Sequence, residues 1–296
     1  MNINEFRSEA IEFICNNNED INVCEIDTLK NNGLKLCGIA IRRGDEKIVP
    51  TIYLENFYKD YEYGVSLEVI AGQIMELSEK SKYAGEFDET HIMDYERIKE
   101  KIFIKLINTN DNAEMLNDLP HRHFIDMSMI AYVDIGDICG MNATFTVKKE
   151  HIQLWGVSEE ELLDFAYNNT KKQGYTYTDI GGMVNDMIRR KNNCDRECEI
   201  TELGRMFVMR SEKLTFSAVC MTYDDVLDEF IKDRCDGVYI LPSSIYEIIL
   251  VPDRGEYTEN DFSDIVKDVN KCAVDLEDRL SSNAYYYNSE NGYSIV

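Results

Sequence analysis

Basic residues are scarce in this sequence: 31 Lys and Arg face 56 Asp and Glu over 296 residues, a formal charge of −25. A field of that sign repels phosphate polymers and anionic bilayers, so neither direct nucleic-acid binding nor membrane binding is expected. Long apolar runs are missing as well, and no stretch reaches the roughly 18 residues that a membrane-crossing helix requires. Residues 1–15 set Glu5, Arg7, Glu9 and Glu12 among the apolar positions, unlike the basic start and unbroken apolar stretch of a secretory signal. The nine cysteines, at 15, 24, 37, 139, 194, 198, 220, 235 and 272, follow no small-domain disulfide pattern and read as reduced thiols. A cytoplasmic setting is the expectation that follows. Gly181-Gly182 and Gly136 to Gly140 lack the Lys-Ser/Thr ending and the strand-glycine-helix context of a nucleotide loop, so they read as turns. No Pro-, Gly- or Ser-rich stretch marks a linker, and no motif implies a cofactor.

What is present is an ordinary globular composition, 44 % hydrophobic and 29 % charged, well away from that of disordered chains. Phe6, Ala10, Phe13 and Ile14 recur at helical spacing behind a capping Asn2 or Asn4. Val23 to Leu29 and Leu34 to Ile41 read as a hairpin closed by Lys30-Asn-Asn-Gly33, where Asn-Gly supplies positive φ. A third strand fits Ile48 to Tyr53. Short and long helices follow around Leu54 to Tyr61 and from Ser66 to Lys80, with Ser66 as N-cap. Asp88 to Glu100 reads as helix, Ile102 to Ile107 as strand, and Asn112 to Leu116 as a helical turn. Phe124 to Ile135 and Ala143 to Val147 are expected as strands. Ser158 and Glu161 form a capping-box pattern opening a helix through Tyr167. Lys171 to Leu203 is a polar, partly helical excursion. Met206 to Arg210 and Ser217 to Met221 are expected to form a hairpin, followed by helices over Tyr223 to Lys232 and around Phe262 to Ala273. Hairpins outnumber crossovers, so the expected class is α+β, with mainly antiparallel sheets and packed amphipathic helices. The length suits either one domain or two subdomains, 1–150 and 151–296.

The most distinctive segment is Asp236-Gly-Val-Tyr-Ile-Leu-Pro-Ser-Ser-Ile-Tyr-Glu-Ile-Ile-Leu-Val-Pro252. Two apolar runs, Val238 to Leu241 and Ile245 to Val251, flank a Pro-Ser-Ser turn and predict a core hairpin. With Pro50-Thr-Ile-Tyr-Leu-Glu-Asn-Phe-Tyr58, Phe103 to Asn108, Pro120-His121 with Asp126, Val147-Lys-Lys-Glu-His-Ile-Gln-Leu-Trp-Gly156 and the Asn270 to Tyr287 tail, it resembles a bacterial family. That family is common in gut anaerobes and catalogued as a domain of unknown function. The resemblance spans roughly residues 45–290 and brings no substrate, cofactor or catalytic residue. It does imply His more often where this chain has Tyr246.

Candidate chemistry is sparse. His121 and His123, two apart on a strand, share a face, and with Asp126 they are the candidate set for a divalent metal and for metal-dependent hydrolysis. Three such residues beside Pro120 equally suit hydrogen-bonded surface groups. Cys194 and Cys198 have a zinc-like spacing but no second Cys or His pair at the usual separation. Ser243 and Ser244 lack an identifiable base and fit the ordinary role of turn serines beside Pro242. Trp155 is expected as a hydrophobic anchor or as part of a binding surface. Tyr246, Tyr285 and Tyr287 complete that surface, with the outer rings of Tyr285-Tyr-Tyr287 exposed along a final strand. The expected function is non-enzymatic, a protein-binding or regulatory module whose partner is another protein. The alternatives are the hydrolase built on His121, His123 and Asp126, and a DNA mimic that inhibits a DNA-binding enzyme, which the acidity would serve.

Overall fold

The computed structural model describes residues 1–44, 49–80, 92–138, 141–180, 206–232, 234–242, 244–255 and 259–296. The chain separates into two compact units, one of Met1–Lys99 with Val133–Phe145, the other of Glu100–Tyr132 with Thr146–Val296. Both are built on antiparallel strands and packed helices, the α+β class expected.

In the first unit, helix α1 (Ile3–Asn16) opens on a capping box in which Glu5 N–H donates to Asn2 Oδ1 at 3.0 Å and Asn2 N–H to Glu5 at 2.9 Å. Strands β1 (Ile21–Leu29) and β2 (Lys35–Arg43) pair in antiparallel register, Leu29 opposite Lys35. Asn32 and Gly33 between them take φ of 58° and 71°, the left-handed values that Asn and Gly tolerate best. Strand β3 (Thr51–Tyr53) is shorter than expected and adds to β2. Helices α2 (Glu55–Glu62) and α3 (Leu67–Lys80) follow. Phe6 and Ile14 pack with Ile39, Ile41, Ile52, Leu54, Ile70 and Ile74 into one core. Arg7 is buried, held by Asp27 at 2.6 Å and Glu25 at 2.9 Å on β1. Of the helix expected over Asp88 to Glu100, residues 88–91 lie outside the described residues, 92 and 93 are helical, and after a break at Asp94 come one turn, α4 (Tyr95–Ile98), and a 3₁₀ turn, Lys99–Lys101.

The second unit begins with β4 (Ile102–Asn108) and the single turn α5 (Ala113–Leu116). Strands β5 (His121–Phe124) and β6 (Met127–Ile138) then form a hairpin, with Phe124 opposite Met127. The strand expected from Phe124 to Ile135 is therefore interrupted by a two-residue turn at Ile125 and Asp126, invisible in sequence because it has neither Asn-Gly nor Asp-Gly. Beyond Tyr132, β6 and most of β7 (Met141–Thr146) are counted in the first unit. Next come α6 (Lys149–Trp155) and α7 (Glu159–Lys171), the latter with the expected capping box of Ser158 and Glu161. Helix α7 is tied to β4 where Thr170 Oγ1 accepts from Ile104 N–H at 2.8 Å and Asn169 donates to Ile102 O at 3.2 Å.

The main sheet has six antiparallel strands in the order β13-β12-β10-β11-β9-β8, with β8 Tyr175–Asp179, β9 Phe207–Ser211, β10 Val238–Leu241, β11 Ile248–Pro252, β12 Tyr285–Asn288 and β13 Gly292–Ile295. Side chains alternate between its faces. On one face, Tyr177 and Phe207 meet Phe230 of helix α8 (Asp224–Lys232) edge to face. On the other, Phe262 and Val266 of helix α9 (Glu259–Ala273) pack on Tyr239, Leu241 and Val251.

Three expectations are corrected here. Ser217–Thr222 is a fully buried 3₁₀ helix, not the hairpin partner of β9, which lies between β8 and β11. Its hydroxyls serve the local backbone, Ser217 donating to Leu214 O at 2.6 Å and Thr222 to Val219 O at 2.8 Å, the competition by which such residues oppose strand pairing. The link between β10 and β11 is a wide loop rather than a tight Pro-Ser-Ser turn. Tyr285 and Tyr287 are 0 % and 3 % exposed: β12 is an interior strand, and its rings point into packed structure, the Tyr285 hydroxyl reaching Asp126 of the β5–β6 turn and the Tyr287 hydroxyl Asp228 of α8. Of the 171–203 excursion, residues 171–180 are described and carry strand β8 (Tyr175–Asp179); its remainder with the Gly181-Gly182 turn, Cys194 and Cys198, and also Ser243, lie outside the described residues.

Candidate functional site

Residues 275–285 of the second unit fix two separate loops. The first is the β5–β6 turn. Tyr285 donates to Asp126 at 2.5 Å, Asn283 Nδ2 donates to it at 2.9 Å, and the Ser281 hydroxyl lies 3.4 Å away. Ser281 also sits 2.7 Å from the Tyr285 hydroxyl. Burial, then the adjacent Asp126 carboxylate, push the Tyr285 phenol well above its ordinary range, so it serves as a permanent donor. Thr109 N–H donates to the Asp126 carbonyl at 3.1 Å. This support holds Ile125 at φ 59°, a conformation a β-branched residue adopts only under outside constraint.

The same geometry separates the proposed metal ligands. His121 and His123 share a face, ring centroids 5.3 Å apart, but Asp126 is spent on Ser281, Asn283 and Tyr285. His121 Nδ1 lies 3.0 Å from Leu119 O. Among the described residues no group of three or more His, Cys, Asp and Glu side chains is placed to hold a metal.

The second loop, described at Pro242 and residues 244–247, is stitched on both sides. Ile245 N–H donates to Asp278 O at 2.9 Å and Ser281 N–H to Pro242 O at 3.2 Å, while Ser217 N–H donates to Tyr246 O at 3.2 Å. Ser244 Oγ accepts from Tyr246 N–H at 3.3 Å, a turn residue's bond. Fixed this way, Tyr246 is 37 % exposed, yet its ring stacks on Phe216 at 6.0 Å and 16°. Its hydroxyl donates to Asp278 at 2.6 Å. Burial first, then Asp278 and more weakly Glu277 and Asp275, raise the phenol far above its usual value. Phe216 is itself braced, edge-on to Tyr132 at 5.0 Å and beneath the Lys105 ammonium at 4.6 Å.

Tyr246 walls an open, mainly polar cleft of about 620 Å³ whose lining includes Thr176, Arg210, Glu212, Lys213 and Glu247. Strand register assembles it: Thr176 is opposite Arg210, and Ile248 is opposite Met209, which brings Glu247 alongside Arg210. Trp155, expected as a hydrophobic anchor or as part of a binding surface, is nearly buried at the end of α6, stacked on His151 at 5.7 Å, as the anchor reading has it. Tyr246 is thus the expected binding residue that the structure leaves accessible. Arg210 and Lys213 escaped sequence reading, since isolated cations on a strand end carry no motif and only the register joins them to Tyr246.

By fold and site, the chain is an α+β protein of two compact units, one of which carries a cleft walled by a braced tyrosine. It belongs to the family described as "Family of unknown function (DUF5688)", whose model matches residues 3–289. Neither the curated proteins nor the solved structures include a match to it. No helix among the described residues is long and apolar enough to cross a membrane.

Proposed function

We propose that this protein is a non-enzymatic binding or regulatory module that engages another protein through the cleft beside Tyr246. The observation that carries this reading is the state of that ring: accessible to a partner, yet already immobilised by Phe216 and Asp278. Tyrosine and arginine are enriched at binding hot spots, and a side chain ordered before binding loses little further entropy when the partner arrives. Arg210 supplies the second such residue on the same cleft. A cytoplasmic setting accompanies this reading, supported by the free thiols of Cys15, Cys24, Cys37, Cys220, Cys235 and Cys272.

The test is site-specific photo-crosslinking in host-cell extract from a benzoylphenylalanine placed at Tyr246, with Tyr63, 88 % exposed in the first unit, as control position. The expected result is one protein captured from position 246 and not from 63, whose purified form binds Tyr246→Ala at least about tenfold more weakly. Equal capture from both positions, or undiminished binding by Tyr246→Ala, overturns the reading.

A further inference from the structure

Two cations, Arg210 and Lys213, line the cleft together with the carboxylates of Glu212 and Glu247. Arg7, Arg43, Arg97, Arg122 and Lys171 each form an ion pair, as the surplus of acidic residues makes easy. Arg210 and Lys213 form none among the described residues, although Glu212 lies between them in sequence. Glu212 folds its side chain against Gly174 instead, so close that a Cβ added there would meet Glu212 Oε2 at 3.1 Å. The turn that separates the two cations is closed internally, Ser211 Oγ accepting from Lys213 N–H at 3.4 Å and Leu214 N–H at 3.3 Å. Both charged side chains are exposed and border the same cleft as the Tyr246 ring.

We propose that the cleft recognises a carboxylate next to an apolar side chain in the partner, the carboxylate between Arg210 and Lys213 and the apolar group against Tyr246. This rests on the binding role proposed above and names its chemistry. A guanidinium and an ammonium match one carboxylate by charge-assisted hydrogen bonds, the guanidinium through paired N–H groups. A polyanion is disfavoured, because the net charge of −25 and the Glu212 and Glu247 carboxylates on the cleft repel extended negative charge. A single carboxylate escapes most of the repulsion from the rest of the molecule, since at physiological salt charges more than about 8 Å away are largely screened; Glu212, turned against Gly174, and Glu247 stay on the cleft and restrict it to one negative charge in contact with both cations. Glu247 on the same cleft accepts an N–H from the ligand's backbone.

Three probes test this on the full ¹⁵N-labelled chain by amide chemical-shift titration. N-acetyl-Phe-Asp amide offers a side-chain carboxylate, N-acetyl-Gly-Phe with a free C-terminus offers a terminal one, and N-acetyl-Phe-Asn amide offers none. Saturable shifts are expected at residues 176, 210–215, 246 and 247 for at least one carboxylate probe, which also identifies the source of the carboxylate. The Asn probe is expected to bind at least about tenfold more weakly. Arg210→Gln with Lys213→Gln removes the difference between probes, while Lys172→Gln, outside the cleft, leaves it intact. Equal titration by the Asp and Asn probes, shifts elsewhere, or no saturable shift overturns the proposal. A partner captured at position 246 that binds the double variant unchanged sinks this inference alone, leaving the binding role standing.

Discussion

Tyr285 and Asp126, 159 residues apart in sequence, meet through a 2.5 Å hydrogen bond from phenol to carboxylate. Hydrogen bonds to charged groups contribute about 1.5–3 kcal/mol. Tyr285→Phe, which keeps the ring, is expected to lower unfolding free energy by that amount in urea titration. Asp126→Ala should cost a similar amount, and the two losses should overlap in the double variant by at least about 1 kcal/mol. Simple additivity of the two would show that the bond contributes nothing of its own.

Gly237 is required by volume rather than by φ. A Cβ at this position would lie 2.2 Å from the Tyr286 hydroxyl oxygen and 2.4 Å from Cζ. That ring is held where it is, its hydroxyl donating to Asp253 at 3.1 Å, and burial followed by Asp253 push its phenol up to about 12. Gly237→Ala is expected to cost about 2–3 kcal/mol by overpacking. Adding Tyr286→Leu should recover part of the loss; a double variant less stable than Gly237→Ala would refute the steric account.

What sequence reveals and what it hides divides along contact range. The caps at Asn2 and Ser158 are legible because donor and acceptor lie three residues apart. The β10–β11 strands are legible from their apolar runs. The β5–β6 turn is not, because a residue like Ile125 enters the left-handed region only when Asp126 is clamped from beyond residue 280. Ser217–Thr222 misleads for another reason: a short apolar run has no period long enough to separate strand from buried helix. At the site, Tyr246 stands out within a motif, while Arg210 and Lys213 gain meaning only once register places them beside it.

His151 gives a pH signature. Its Nδ1 accepts the Lys148 N–H at 2.9 Å, which requires the unprotonated nitrogen. Burial moves its pKa below the ordinary imidazole value of 6.5, outweighing the opposite pull of Glu150. With the folded pKa below the unfolded one, the stability this group contributes is present above the unfolded value and is lost as pH falls through the folded one. Between about pH 7.5 and about pH 5, the wild-type Tm should therefore fall further than that of His151→Gln. Parallel Tm profiles would remove His151 as the cause.

The threading of the two units sets the order in which they can be completed during synthesis. The first unit needs residues up to Phe145, and the second, begun at Glu100, closes only with the C-terminal strands. No single cut yields either unit whole and alone: cleavage after Lys99 strips the first of its 133–145 strands, and cleavage after Phe145 strips the second of Glu100–Tyr132. At about 5–20 residues per second, the residues of the first unit's core, Phe6 to Ile74, leave the ribosome seconds before its 133–145 segment does.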